Sequence, residues 1–118
     1  MNLTLLASAA RTATTNSGDI ANQNFRGVHV VIDVTVDPAA ASVVFTIQGK
    51  DPLSGKYYTI LASAAVAAVG TTVLRVFPGS TVTANAAAND GLPRVWRVLA
   101  THADGDSITY SVGASYLH

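Results

Sequence analysis

Side chains able to do acid–base or metal chemistry are scarce in this 118-residue sequence, which has seven aspartates, no glutamate, three histidines and no cysteine. His102, Asp104 and Asp106 stand at alternate positions and offer one nitrogen and two carboxylate donors, but the run lacks the length and the terminal bidentate acid of a calcium loop. The stretch Ala103-Asp104-Gly105-Asp106 reads first as a turn, because Asp and Gly tolerate the backbone angles a reversal needs. His29 and Asp33 fall on one side of an extended segment, and Asp19 and Asp37 would join them if the first loop folded over the sheet. A solvated strand face accounts for the same residues. With no nucleophile and base at a recognisable spacing, the sequence predicts no catalysis and calls for no metal or cofactor.

The aromatic residues raise a different chemistry. Arg94, Trp96 and Arg97 together offer a guanidinium and an indole face, the parts of a platform on which a base or a sugar ring stacks. Core packing of Trp96, with Arg94 beside it at the edge, is the preferred reading. Tyr57, Tyr58 and Tyr110 would form a sugar-stacking set only on one shared face, which alternation forbids for the adjacent pair. One of Tyr57 and Tyr58 is therefore expected to face the core. The triplet Asn2-Leu3-Thr4 fits a glycosylation acceptor, a frequent chance match that carries no weight here.

The elements that must position these residues follow from composition. Hydrophobic residues make up 49% of the chain and charged residues 12%, and seven cations balance seven anions. That balance excludes a strongly basic nucleic-acid footprint, and no nucleic-acid partner is expected. So few charges leave weak colloidal protection against self-association, which points to obligate partners. Lysine occurs only as Lys50 and Lys56, while Val, Thr and Ala dominate, so helices are disfavoured. Met1 to Ala10 lacks the basic start and the long apolar run of a secretion signal, and reads as an N-terminal arm or strand within residues 1–15. No window approaches the ~18 apolar residues that span a bilayer, so a soluble or assembly-bound chain without a membrane partner is expected.

Period-two patterning is clearest from Gly27 to Val36, with Val28, Val30, Ile32, Val34 and Val36 on one face. Asp37-Pro38 interrupts it, and Val43, Phe45 and Ile47 resume, so these two segments read as an antiparallel pair. Lys50-Asp51-Pro52-Leu53-Ser54-Gly55-Lys56 has the residues of a reversal before Tyr57 to Leu61, which predicts a hairpin with both lysines at its tip. Ala62 to Val69 is read as a connection with at most a turn of helix, leading into a strand from Thr72 to Phe77. Ser80 to Pro93 should be an exposed loop carrying a short strand at most. Arg94 to Ala100 and Ser107 to Ala114 alternate on either side of the Asp-Gly turn and suggest a terminal hairpin. The sum is one all-β domain over residues 1–118, an antiparallel β-sandwich of Ig-like or jelly-roll type with an extended N-terminal arm.

The runs Arg26 to Thr35, Ile47 to Tyr58 and Ser107 to Gly113 resemble those of small structural proteins of tailed bacteriophages and prophages. The resemblance implies a virion component made in the bacterial cytoplasm and bound at the capsid surface. The leading role is capsid decoration or cement, and the next is a neck or tail component. It brings no catalytic residues. It implies as partners the major capsid protein or other virion proteins, and copies of the chain itself, a trimer being favoured because shells offer three-fold sites. The assembly surface is expected to use the apolar arm residues Leu3, Leu5 and Leu6, together with Arg94 and Trp96. A carbohydrate-binding module at a virion or cell surface is the rival, resting on Trp96 and the tyrosines.

Overall fold

β-Branched residues at alternate positions build the most regular element. In the computed structural model, which describes Met1–His118 throughout, Gly27–Val36 is a strand with Val28, Val30, Ile32 and Val34 enclosed and Asp33 and Thr35 in solvent. Ten strands run along the chain: β1 (Asn2–Arg11), β2 (Thr15–Asn16), β3 (Ile20–Ala21), β4 (Gly27–Val36), β5 (Val43–Lys50), β6 (Tyr57–Ala62), β7 (Gly70–Val76), β8 (Ala87–Ala88), β9 (Val95–His102) and β10 (Ile108–Leu117). The chain has no helix, hence none long and apolar enough to cross a membrane.

Two sheets result. The first has the order β1-β10-β4-β7-β8, and the second the order β2-β9-β5-β6 with β3 also on β9. All pairings are antiparallel except that of β7 with the short β8. The molecule is thus an all-β sandwich, and its core is the apolar material between the sheets. Trp96, Phe45, Ile47 and Val98 rise from the second sheet to meet Tyr110, Ile32, Leu74 and Val112 from the first. Three aromatic contacts bridge the layers: Phe45 edge-on to Tyr110 at 5.0 Å, Trp96 edge-on to Tyr116 at 6.0 Å, and His102 tilted on Tyr110 at 5.8 Å.

The hairpin with both lysines at its tip is present, β5 pairing with β6 across Asp51–Lys56. The other two expected hairpins are not. β4 and β5 lie in different sheets, and so do β9 and β10. Each pair is joined by a segment that climbs from one layer to the other, Asp37–Ser42 in one case and Ala103–Ser107 in the other. The physical reason is that each strand of both pairs carries a full inward row of apolar side chains. Placing the strands in opposite layers lets those rows face each other across the core.

The expected arm is also in the sandwich. β1 pairs with β10 from Asn2↔Ser115 to Arg11↔Ile108, which makes it an edge strand of the chain's own first sheet. Two bulges break its register, after Thr4 and after Leu6, and Leu3, Leu5 and Leu6 pack half-buried against the core. Arg11 folds back over the bulged half, donating to the carbonyls of Ala7 at 2.6 Å, Ala9 at 3.2 Å and Tyr110 at 2.7 Å. Its guanidinium also covers the Tyr110 ring at 4.7 Å. Bulges and a bound cation are devices that keep an edge from templating further strands.

Candidate functional site

The residues nominated from the sequence do not converge. Leu3, Leu5 and Leu6 lie on β1, at the outer edge of the first sheet. Arg94 is exposed just ahead of β9, in the second sheet. Trp96 is 0% exposed, and its indole nitrogen donates to the Tyr116 hydroxyl at 3.2 Å. Trp96 therefore belongs to the core and presents no ring to a partner or a sugar, and its removal from the nominated surface is a correction that burial imposes. The tyrosines separate too. Tyr110 is enclosed, Tyr57 is half-buried on the outer face, and Tyr58 is 48% exposed. Neither of the adjacent pair reaches the core. Tyr58 instead leans over Gly49 and fills the space that a side chain there would need.

His102 and the turn aspartates behave as structure. Asp104 accepts the backbone N–H of Asp106 at 3.0 Å, closing the turn. His102 turns inward, its Nε2 2.9 Å from the Tyr110 hydroxyl, while Nδ1 is buried without a partner. Burial holds its pKa below the ordinary histidine range, with the Arg11 charge acting the same way and Asp104 opposing. Burial raises the Tyr110 pKa, and Arg11 offsets part of that. His29, Asp33, Asp19 and Asp37 do not gather, and no three His, Asp or Glu side chains stand close enough to hold a metal ion.

One polar cluster went unforeseen. On the outer face of the second sheet Lys50 pairs with Asp19 at 2.7 Å, Tyr57 donates its hydroxyl to the same carboxylate, and Arg97 lies 3.5 Å over the Tyr57 ring. Arg97 also donates from Nε to Gln48 at 2.8 Å. The hydrogen bond from Lys50, then that from Tyr57, draws the Asp19 pKa below its ordinary value. Each group is occupied by its neighbour, and the chemical effect is to fasten the segment between β2 and β3 onto β5, β6 and β9. The hairpin could have signalled half of this, since its register sets Lys50 opposite Tyr57. The rest depends on the long-range pairing of β5 with β9.

Three open features remain. The outer face of the first sheet is built largely of small residues, with Thr4, Gly113, Val31 and Val73 in one cross-strand row and Ser111, Asp33 and Thr71 in the next. The edge of β7 is free from Gly70 to Leu74, because β8 covers only Arg75 and Val76. Beside it opens a recess of about 330 Å³, walled by the Ala64–Val69 loop, Gly70–Thr72 and Asn85, with no ionisable side chain in its lining. These are shapes suited to docking. Neither a protein-family model nor a curated protein sequence matches the chain.

Proposed function

We propose that this chain is a non-catalytic virion structural protein, a decoration or cement protein that binds and stabilises the head shell of a tailed phage. The observation that carries the reading is where the polar side chains went. Asp19, Lys50, Tyr57 and Arg97 are spent on one another, and Arg11, His102 and Tyr110 seal one end of the core. Left uncommitted on the outer face of the first sheet is a surface mostly of Ser, Thr, Gly and Val, with Asp33 and Arg75 standing among them, and a neighbouring subunit covers its small uncharged side chains at low desolvation cost.

The finer fold reading is a jelly roll. With β2 and β3 counted as one interrupted strand, the orders β1-β10-β4-β7 and β2/β3-β9-β5-β6 are those of two interleaved Greek keys, an architecture that viral capsid and lectin domains both use. The sugar-binding alternative loses its platform with Trp96 enclosed. Assembly as a homo-oligomer at three-fold sites of a shell is the corresponding quaternary expectation. Electron microscopy of purified particles carrying this chain tests the role. Density for the sandwich on the shell lattice supports it, and its absence from the shell rejects it.

A further inference from the structure

Zero net charge hides a strong polarity along the strands. The registers give the sandwich two ends, one at Trp96 and Tyr116 and the other at His102 and Tyr110. The half towards Trp96 holds Arg26, Lys50, Lys56, Arg75, Arg94 and Arg97 against Asp19, Asp51 and Asp90, six cations to three carboxylates and so a net +3. The half towards His102 holds Arg11 against Asp33, Asp37, Asp104 and Asp106, one cation to four carboxylates and so a net −3. The two sets are not neutralised inside the molecule, where Lys50–Asp19 is the one ion pair. Arg26, Arg75, Arg94 and Lys56 are exposed, as are Asp33, Asp104 and Asp106.

A second, independent asymmetry has the same direction. The tip of the β5–β6 hairpin projects at the basic end, and Leu53 on it is 94% exposed, the most exposed of the large hydrophobic side chains. The recess, walled by the Ala-rich loop between β6 and β7, opens at the acidic end, where β6 finishes and β7 begins. Knob and hole therefore lie on the same flank of the sandwich, the side of β6, at opposite ends of the strands. Stacking two copies end to end along the strands brings the Leu53 tip of one towards the recess of the next. The recess volume of about 330 Å³ is ample for a leucine side chain.

We infer that copies of this chain associate head to tail, the basic end of one seating Leu53 in the Ala64–Val69 recess of the next while Arg26 and Arg94 face the partner's acidic end. Such a contact uses two different patches, so it is heterologous: it closes into a ring where the rotation permits and otherwise propagates as a filament. Nothing in it depends on the virion reading. Opposed net charges steer the ends together, and the apolar insertion sets the register.

Sedimentation velocity on the purified full chain tests this. At about 10 mM salt, where the Debye length is about 30 Å, the chain should self-associate with rising concentration, and at about 1 M, where it is about 3 Å, the association should weaken at least tenfold. Leu53→Ser, a change at a solvent-exposed tip, should also weaken it at least tenfold without altering the circular dichroism. The decisive arm mixes two variants. Arg26→Asp/Arg94→Asp has two acidic ends and Asp104→Lys/Asp106→Lys two basic ends, so each should stay monomeric alone and the mixture should assemble. A wild-type chain that remains monomeric at low salt overturns the proposal. So does an assembly indifferent to both salt and Leu53→Ser, which would indicate pairing of sheet edges, and so does a mixture that fails to assemble while both variants are folded.

Discussion

Replacing Trp96 by alanine tests whether the fold, and with it the loss of the sugar platform, has been understood. Trp96 is the largest of the fully buried side chains. It sits on β9 between Ile20 of β3 and Gly49 of β5, with its ring edge-on to Tyr116 of the opposite sheet. Truncation removes that interlayer contact, empties a volume that backbone on both flanks cannot close, and leaves the Tyr116 hydroxyl without its indole donor. Large aromatic truncations of this kind cost about 3–5 kcal/mol. Set against a total stability of about 5–15 kcal/mol for a domain, that is a large fraction of the whole.

The assay is urea unfolding followed by far-ultraviolet circular dichroism, since the variant lacks the only tryptophan. With a slope of about 2 kcal/mol per molar urea, the midpoint should fall by about 1.5–2.5 M. In the parent protein the tryptophan emission should be blue-shifted and resist quenching by acrylamide. A midpoint shift below about 0.5 M, equivalent to about 1 kcal/mol, together with a readily quenched emission, would refute the enclosed position and return Trp96 to the surface as a docking residue.

Further predictions follow from single contacts. Because burial lowers the His102 pKa in the folded state, the unfolded chain binds the proton more tightly there, and stability should hold above about pH 6.5 and fall below it by up to about 1.4 kcal/mol per pH unit. Urea midpoints at several pH values, compared with His102→Gln, check this, and an unchanged slope in the variant would exclude His102 as the source. Arg11→Ala removes three hydrogen bonds to carbonyls and a cover over Tyr110, so it should cost about 2 kcal/mol and speed amide exchange in residues 7–11. Gly27→Ala should cost about 3 kcal/mol, since the new methyl meets the backbone oxygen of Val76 and cannot be relieved by a side-chain rotation. Gly49→Ala meets only the far end of the Tyr58 ring, so its cost should stay near about 1 kcal/mol and vanish in a Tyr58→Ala background, a result a double-mutant cycle measures directly.

Which side of a strand faces inward was legible, and which strand it would pair with was not. Side-chain alternation between Gly27 and Val36 located β4 at its observed bounds, because that pattern reports burial on one face and nothing else. The β5–β6 hairpin was equally readable, its tip closed by Asp51, whose side chain bonds Leu53 N and Ser54 Oγ. Sequence neighbours β4 and β5 looked like a second hairpin on the same grounds. The two links are equally long at six residues and differ in conformation: in Asp37–Ser42 the Asp37 side chain bonds Ala41 N, Ala40 is in the left-handed region and Ala41 is enclosed in the core. The short pieces β2 and β3 had no periodicity to reveal them. They are extended because β9 offers an edge, and they are held there by Ser17 and by Asn22, which bonds Phe25 and Leu92.

The same distinction explains why the assembly surface was only partly readable. Apolar residues in a low-charge chain suggest contact, but Leu3, Leu5, Leu6 and Trp96 are apolar because the sandwich itself needs them against its core. The residues that a partner can reach are those the fold does not use. Among the large hydrophobic side chains that criterion ranks Leu53 first, ahead of Val82, Met1 and Val69; a turn made of Pro, Ser and Gly would tolerate almost any residue there, yet it stands in solvent as leucine. Charge separates in the same way. Cations near the Trp96 end and carboxylates near the His102 end are distant in space but mixed along the chain, so the balanced totals in the sequence conceal a polarity that only the strand registers reveal. In the head-to-tail association proposed above, sealed layers and one guarded edge leave the unlike ends as the joining surfaces, and the direction of joining follows from where the few charges fall.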